Sequence, residues 1–138
     1  MQLNFKVIGQ TLTWENPSIK PVANSRGYLK AHFNLPEEYI GLVAAHFKMY
    51  QNGNLVGRYA ELDENFTCDV PPEIINEGTL YVSVACCNED LFIPTNHVPV
   101  EIKPSGVPVE LLPTPDGKEN QFEEFNQMYN EVKEARSE

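Results

Sequence analysis

The sequence predicts an all-β chain: an antiparallel β-sandwich of about eight strands, then a linker and a short C-terminal α-helix. Three observations predict it. Apolar and polar residues alternate at period two between Leu3 and Ile102. Turn-forming residues interrupt that alternation about every 8–12 residues, the rhythm of a sandwich. Beyond Ile102 the alternation stops, Pro and Gly take over, and apolar residues return at helical spacing.

Leu3, Phe5 and Val7 alternate with Asn4 and Lys6 as a first strand, and Leu12 and Trp14 form a short second one closed by Asn16-Pro17. Leu29, Ala31, Phe33 and Leu35 alternate against Tyr28, Lys30, His32 and Asn34. Val43, Ala45, Phe47 and Met49 alternate against Ala44, His46, Lys48 and Tyr50. These two runs are read as adjacent strands with His32 and His46 on their outward faces. Asn52-Gly53 then supplies a hairpin signal, because both residues tolerate the positive φ that a tight turn demands. A partner strand is expected over about 55–62, followed by strands around Phe66, Cys68 and Val70, around Leu80, Val82, Val84 and Cys86, and around Val98, Val100 and Ile102. Pro36-Glu37-Glu38 and Pro72-Glu73 each read as a single helical turn crossing between two sheets, since Pro suits a first helical position and Glu the N-terminal dipole. Phe5, Val7, Phe33, Val43, Phe47, Val82 and Val84 are the expected core, with Trp14 packed beside them.

The 138 residues suffice for one domain with an appendage: a sandwich over 1–103, a linker over 104–117 and a helical tail over 118–138. Four prolines and two glycines make 103–118 semi-extended. In the tail Phe122, Phe125, Tyr129 and Val132 fall on one helical stripe with Met128 beside it. Such a seam must be buried, so these five residues are the expected oligomerisation site, with a homotrimer as the first expectation.

Twenty acidic against ten basic residues give a net charge of −10, which argues against nucleic acid and anionic membrane as partners. From Tyr59 to Ile102 there is no Lys or Arg, and the acids there read as a solvated face or a surface for a basic partner. The N-terminus has no apolar stretch of the kind a secretory signal needs, and no run is long enough to span a bilayer. The chain is therefore expected in the cytosol. Cys68, Cys86 and Cys87 are expected as reduced thiols, the adjacent pair facing opposite sides of one strand. With His32, His46 and His97 they offer no zinc-ligand spacing. Asp63, Glu64, Asn65 and Asp69 could ligate calcium, but such residues are also the ordinary furniture of turns. No phosphate loop, HExxH, GxSxG or EF-hand pattern occurs, so neither an enzymatic activity, a cofactor nor a metal is expected.

Four segments carry a resemblance: 7–12 (Val-Ile-Gly-Gln-Thr-Leu), 22–33 (Val-Ala-Asn-Ser-Arg-Gly-Tyr-Leu-Lys-Ala-His-Phe), 68–73 (Cys-Asp-Val-Pro-Pro-Glu) and 93–98 (Ile-Pro-Thr-Asn-His-Val). They resemble the N-terminal Ig-like domain of upper-baseplate or tail-fibre-like structural proteins of phages and prophages of Gram-positive bacteria. The resemblance implies an Ig-like or fibronectin-like sandwich that anchors to the particle, with a helix that begins a multimeric stalk. It implies other phage structural proteins as partners, assembly in the host cytoplasm and residence in the virion. The alternative is a cell-surface or carbohydrate-binding sandwich module, in which exposed aromatic residues stack on sugars.

Overall fold

A computed structural model of the protein describes residues 1–107. The tail over 118–138, with Phe122, Phe125, Met128, Tyr129 and Val132, and the linker beyond Val107 lie outside the described residues. The contacts divide the chain into two units, Met1–Pro104 and Ser105–Glu138. In the second, the described residues form a small turn in which the Val107 amide donates to Ser105 Oγ at 2.9 Å.

The first unit holds every described strand: β1 (Gln2–Ile8), β2 (Thr11–Trp14), β3 (Lys30–Asn34), β4 (Leu42–Gln51), β5 (Asn54–Glu61), β6 (Thr67–Asp69), β7 (Gly78–Cys87), β8 (Phe92–Pro94) and β9 (Val98–Ile102). They form two sheets. The first runs β2-β1-β3-β6 and the second β5-β4-β7, with the free side of β7 shared by β9 along its first half and β8 along its end. The expected alternation places Phe5, Val7, Phe33, Val43, Phe47, Val82 and Val84 inside, each less than a tenth exposed. Leu3, Leu12, Met49, Ile74, Leu80 and Ile102 complete the core. Each large side chain so buried contributes roughly 1.5–3 kcal/mol of transfer free energy.

The chain crosses between sheets at both Pro-led turns. The second is one turn of 3-10 helix, Pro72–Ile74, with Pro at its start. The first is a hydrogen-bonded turn without helix, in which the Tyr39 amide donates to the Pro36 carbonyl at 3.1 Å. The Tyr39 hydroxyl then donates to the Gly9 carbonyl at 2.8 Å, fastening this crossing to the β1–β2 hairpin. Asn52 and Gly53 have φ of 54° and 81°, the two left-handed positions that the β4–β5 turn requires.

Besides the missing helical turn at Pro36, the structure corrects the sequence reading in four places. β1 and β3 are parallel, pairing Phe5 with Phe33, where an antiparallel sandwich was expected. β2 ends opposite Phe5, Asn16 reaches on to the Gln2 carbonyl at 2.9 Å, and the loop that follows returns to the same end of β1, where the Lys30 amide donates to the Met1 carbonyl at 3.0 Å. The next strand therefore enters in the same direction as β1. His32 and His46 do not share neighbouring strands, for β3 belongs to the first sheet and β4 to the second. Phe66 stands outside β6 with φ of 57° and is 42% exposed, because Asp63 folds the preceding residues into a turn. β8 was not expected. Trp14 packs against the core as expected, half-buried at the sheet edge with its ring 6.5 Å from that of Phe5, and its indole N–H is buried without a partner among the described residues.

Candidate functional site

In β4 the residues between the core positions face outward, and register fixes their neighbours. His46 lies between Tyr59 of β5 and Ser83 of β7, while Lys48 lies between Gly57 and Tyr81. Ala44 lies opposite Ala85, and Ala85 opposite Pro94 of β8. The middle of this outer face is therefore built from small side chains, Gly57, Ser83, Ala44 and Ala85, where sheet surfaces normally carry long polar ones. The result is a trough of about 470 Å³. Tyr59 rises from the β5 side and Phe92 from the β8 side, 65% and 67% exposed.

Lys48 is the cation on this face, since Arg58 is the register partner of the buried Phe47 and its side chain leaves from the opposite face of β5. Lys48 lays its stem over Gly57, with Cγ 3.7 Å from the place that a Cβ on Gly57 would occupy. The His46 ring stands 6.0 Å from that of Tyr59, centroid to centroid. Burial, and then the Lys48 charge, hold the imidazole below the usual histidine range, so it is neutral at pH 7. Arg58 donates from Nη1 to the Gly57 carbonyl at 2.8 Å. Among the described residues, Lys48 Nζ, Ser83 Oγ and the Tyr59 hydroxyl have no hydrogen-bond or ion-pair partner, and no Asp or Glu lines the trough. His46 and Ser83 are register partners on neighbouring strands. Unpartnered donors on a rigid sheet are suited to holding a ligand.

A second depression is lined by Lys30, Ala60, Glu61, Asp63, Thr67, Cys68 and Asp69. Its polar groups are engaged. Asp63 Oδ1 accepts the Asn65 and Thr67 amides at 2.8 and 3.0 Å, Asp69 is ion-paired with Lys30, and His32 Nδ1 lies 3.0 Å from Thr67 Oγ1. The calcium alternative at Asp63 and Asp69 thus meets carboxylates that already serve a turn and a cross-strand pair. No cluster of three metal-ligating side chains occurs among the described residues. The acids from Glu61 to Glu101 are all solvent-exposed. Cys87 is exposed while Cys68 and Cys86 are buried, as expected for strand neighbours on opposite faces, and all three are free thiols. No described helix is long and apolar enough to cross a membrane.

The oligomerisation residues expected from sequence lie outside the described residues, and the trough was not foreseen. Its one sequence signal is that outward positions of three strands carry aromatic, Gly, Ala or Ser residues in place of charged ones. No protein-family model matches this chain, and no curated protein matches it either.

Proposed function

We propose that the chain is a non-enzymatic structural protein of a phage or prophage particle. In this reading an Ig-like sandwich attaches to neighbouring structural proteins of the tail, baseplate or fibre, and the C-terminal segment with Phe122, Phe125, Met128, Tyr129 and Val132 drives self-association. Assembly takes place in the host cytoplasm and the product resides in the virion. The resemblance of the four short segments supports the reading, and one structural observation carries it. β5 is an eight-residue strand at the end of its sheet, paired only to β4, without a proline or a bulge. The hairpin closes on Gln51 and Asn54, so the backbone groups of Leu55, Gly57, Tyr59 and Glu61 point away from β4, and of these the Gly57 carbonyl accepts from Arg58 while the others stay open to a neighbour. Leu55 is 56% exposed along the same edge. Solitary domains blunt such an edge, whereas assembling domains use it to add a strand from a neighbour.

The test is direct. Particles released from an induced host, purified on a density gradient, should contain this chain when probed with an antibody raised against it. A chain that stays in the soluble fraction while the major particle proteins band together overturns the reading.

A further inference from the structure

We propose that the trough on the outer face of the second sheet is a binding site for an acidic saccharide, a short run of sugar rings bearing a carboxylate or a phosphate. The inference does not rest on the particle reading.

Charge selects the ligand's sign. The chain carries −10 overall, yet the cation on this face, Lys48, has no acidic side chain in the trough lining among the described residues. By contrast, the cation in the second depression, Lys30, is neutralised by Asp69. An anion approaching an acidic protein is drawn to the place where a cation stands unopposed.

Shape selects the rings. Tyr59 and Phe92 stand on the outermost strands of the path β5-β4-β7-β8, so three strand spacings separate them, on the order of 14 Å. Their register rows differ too, Tyr59 sharing its row with His46 and Phe92 with Leu42, so the walls occupy diagonal corners. Two separated aromatic faces over a shallow floor suit successive sugar rings, each presenting an apolar C–H face to one wall. They do not form the close slot that grips a planar base. A peptide strand is disfavoured as well, because the backbones under the floor are already paired within the sheet.

Hydrogen bonding selects the functional groups. Ser83 Oγ, the Tyr59 hydroxyl and the neutral His46 imidazole can each donate or accept, as sugar hydroxyls require. Lys48 Nζ supplies a donor for the anionic group, and Gly57 leaves the room over which the lysine stem lies. All of these side chains sit on paired strands, so little order has to be acquired on binding.

Amide chemical-shift titrations of the intact chain would decide, using glucuronic acid, glucose 1-phosphate, glucose and inorganic phosphate as separate probes. Both acidic sugars should move the resonances of His46, Lys48, Tyr59, Ser83 and Phe92, and comparison of the two shows which anion is preferred. Lys48→Gln and Tyr59→Ala should each weaken that binding by about ten-fold or more, with the amide spectrum otherwise retained. Ser83→Leu, which fills the floor, provides a second and independent block. Glucose binding as tightly as the acidic sugars overturns the proposal, as do phosphate binding as tightly as the sugar phosphate, shifts elsewhere on the molecule, or no shifts at all.

Discussion

Asn96 meets Leu12 as a neighbouring strand would: the Leu12 amide donates to Asn96 Oδ1 at 2.7 Å, and Asn96 Nδ2 donates to the Leu12 carbonyl at 3.5 Å. β2 is an edge of the first sheet, while Asn96 lies between two strands of the second. The Asn96 amide also donates to the Gln10 carbonyl at 3.3 Å, and Gln10 Nε2 donates to the Pro94 carbonyl at 2.8 Å. One side chain thus satisfies the edge of one sheet from the other. Asn96→Ala strands the part-buried Leu12 amide and should cost about 1–3 kcal/mol. Urea denaturation measures it. A midpoint unchanged from the parent would show that water replaces the asparagine without loss.

Across the parallel pair, the Phe5 and Phe33 rings stack with centroids 5.0 Å apart and planes at 16°. Both are fully buried. Phe33→Ala should cost roughly 3–5 kcal/mol, as should Phe47→Ala in the other sheet. A double-mutant cycle with Phe5→Leu and Phe33→Leu should return about 0.5–1.5 kcal/mol of coupling beyond the area buried. Additive single effects would remove ring stacking from the account.

The thiols differ in reactivity by environment. Burial pushes the Cys68 thiol up to about 12, with the Asp69 and Asp63 carboxylates adding to it. Burial also raises Cys86, with Cys87 adding to it. Since the thiolate is the nucleophile, a disulfide reagent at pH 8 should label Cys87 alone in the native chain and all three in denaturant. Linkage has a definite sign here. The native state keeps the Cys68 proton that the unfolded chain releases above about 8.5, the ordinary thiol value. Stability from this group is therefore complete below that pH and declines up to about 12. Cys68→Ala should flatten the alkaline fall in urea midpoint relative to the parent. Parallel curves would contradict the assignment.

The core was legible because alternation reports which face a residue takes, and Phe33, Phe47, Val82 and Val84 needed no more than that. The Asn52-Gly53 turn was legible because few residue pairs accept its φ values. Pairing partners were not, since alternation does not say which strand lies alongside. The parallel direction of β3 depends on where the loop before it runs, and the placing of His46 apart from His32 depends on a sheet crossing. β8 is three residues with a proline, too short to show a period. The trough needs the register of strands far apart in sequence, so no single window of sequence contains it. Two pairings, however, join the four segments that carried the resemblance. Gln10 and Leu12 meet Pro94 and Asn96, while Lys30 pairs with Asp69 and the Val70 amide donates to the Leu29 carbonyl at 3.0 Å. These short polar motifs are seams between distant strands.

Gly41 opens β4 with φ of 120°, and a Cβ there would stand 2.8 Å from the Cys87 carbonyl oxygen and 3.0 Å from Asn88 Cβ. Next to it the Ile40 carbonyl accepts from Asn88 Nδ2 at 3.0 Å, so the two chain segments cannot part freely. Gly41→Ala therefore combines backbone strain, about 1–3 kcal/mol, with a clash against backbone. Gly53→Ala is the control, because its φ is also positive but nothing lies within 4 Å of the added carbon. The first should lower the melting temperature distinctly more than the second. Equal losses would mean that the contact with Cys87 relaxes without cost.

Self-association is the prediction on which the assembly reading depends most. The segment 118–138 is rich in Glu, Gln, Lys and Ala, residues that favour helix, and places Phe122, Phe125, Tyr129 and Val132 on one stripe. A helix of that length is marginal alone in water and gains stability only by burying its stripe. With fewer than three full heptads the seam is short, so a trimer formed through it should be concentration-dependent. Light scattering across a dilution series should find the intact chain oligomeric at high concentration. Phe125→Asp puts a charge in the middle of the stripe and should yield a monomer throughout, without altering the melting of the 1–104 unit. An intact chain that remains monomeric at every concentration refutes self-association through this seam, and so does a Phe125→Asp variant that stays oligomeric.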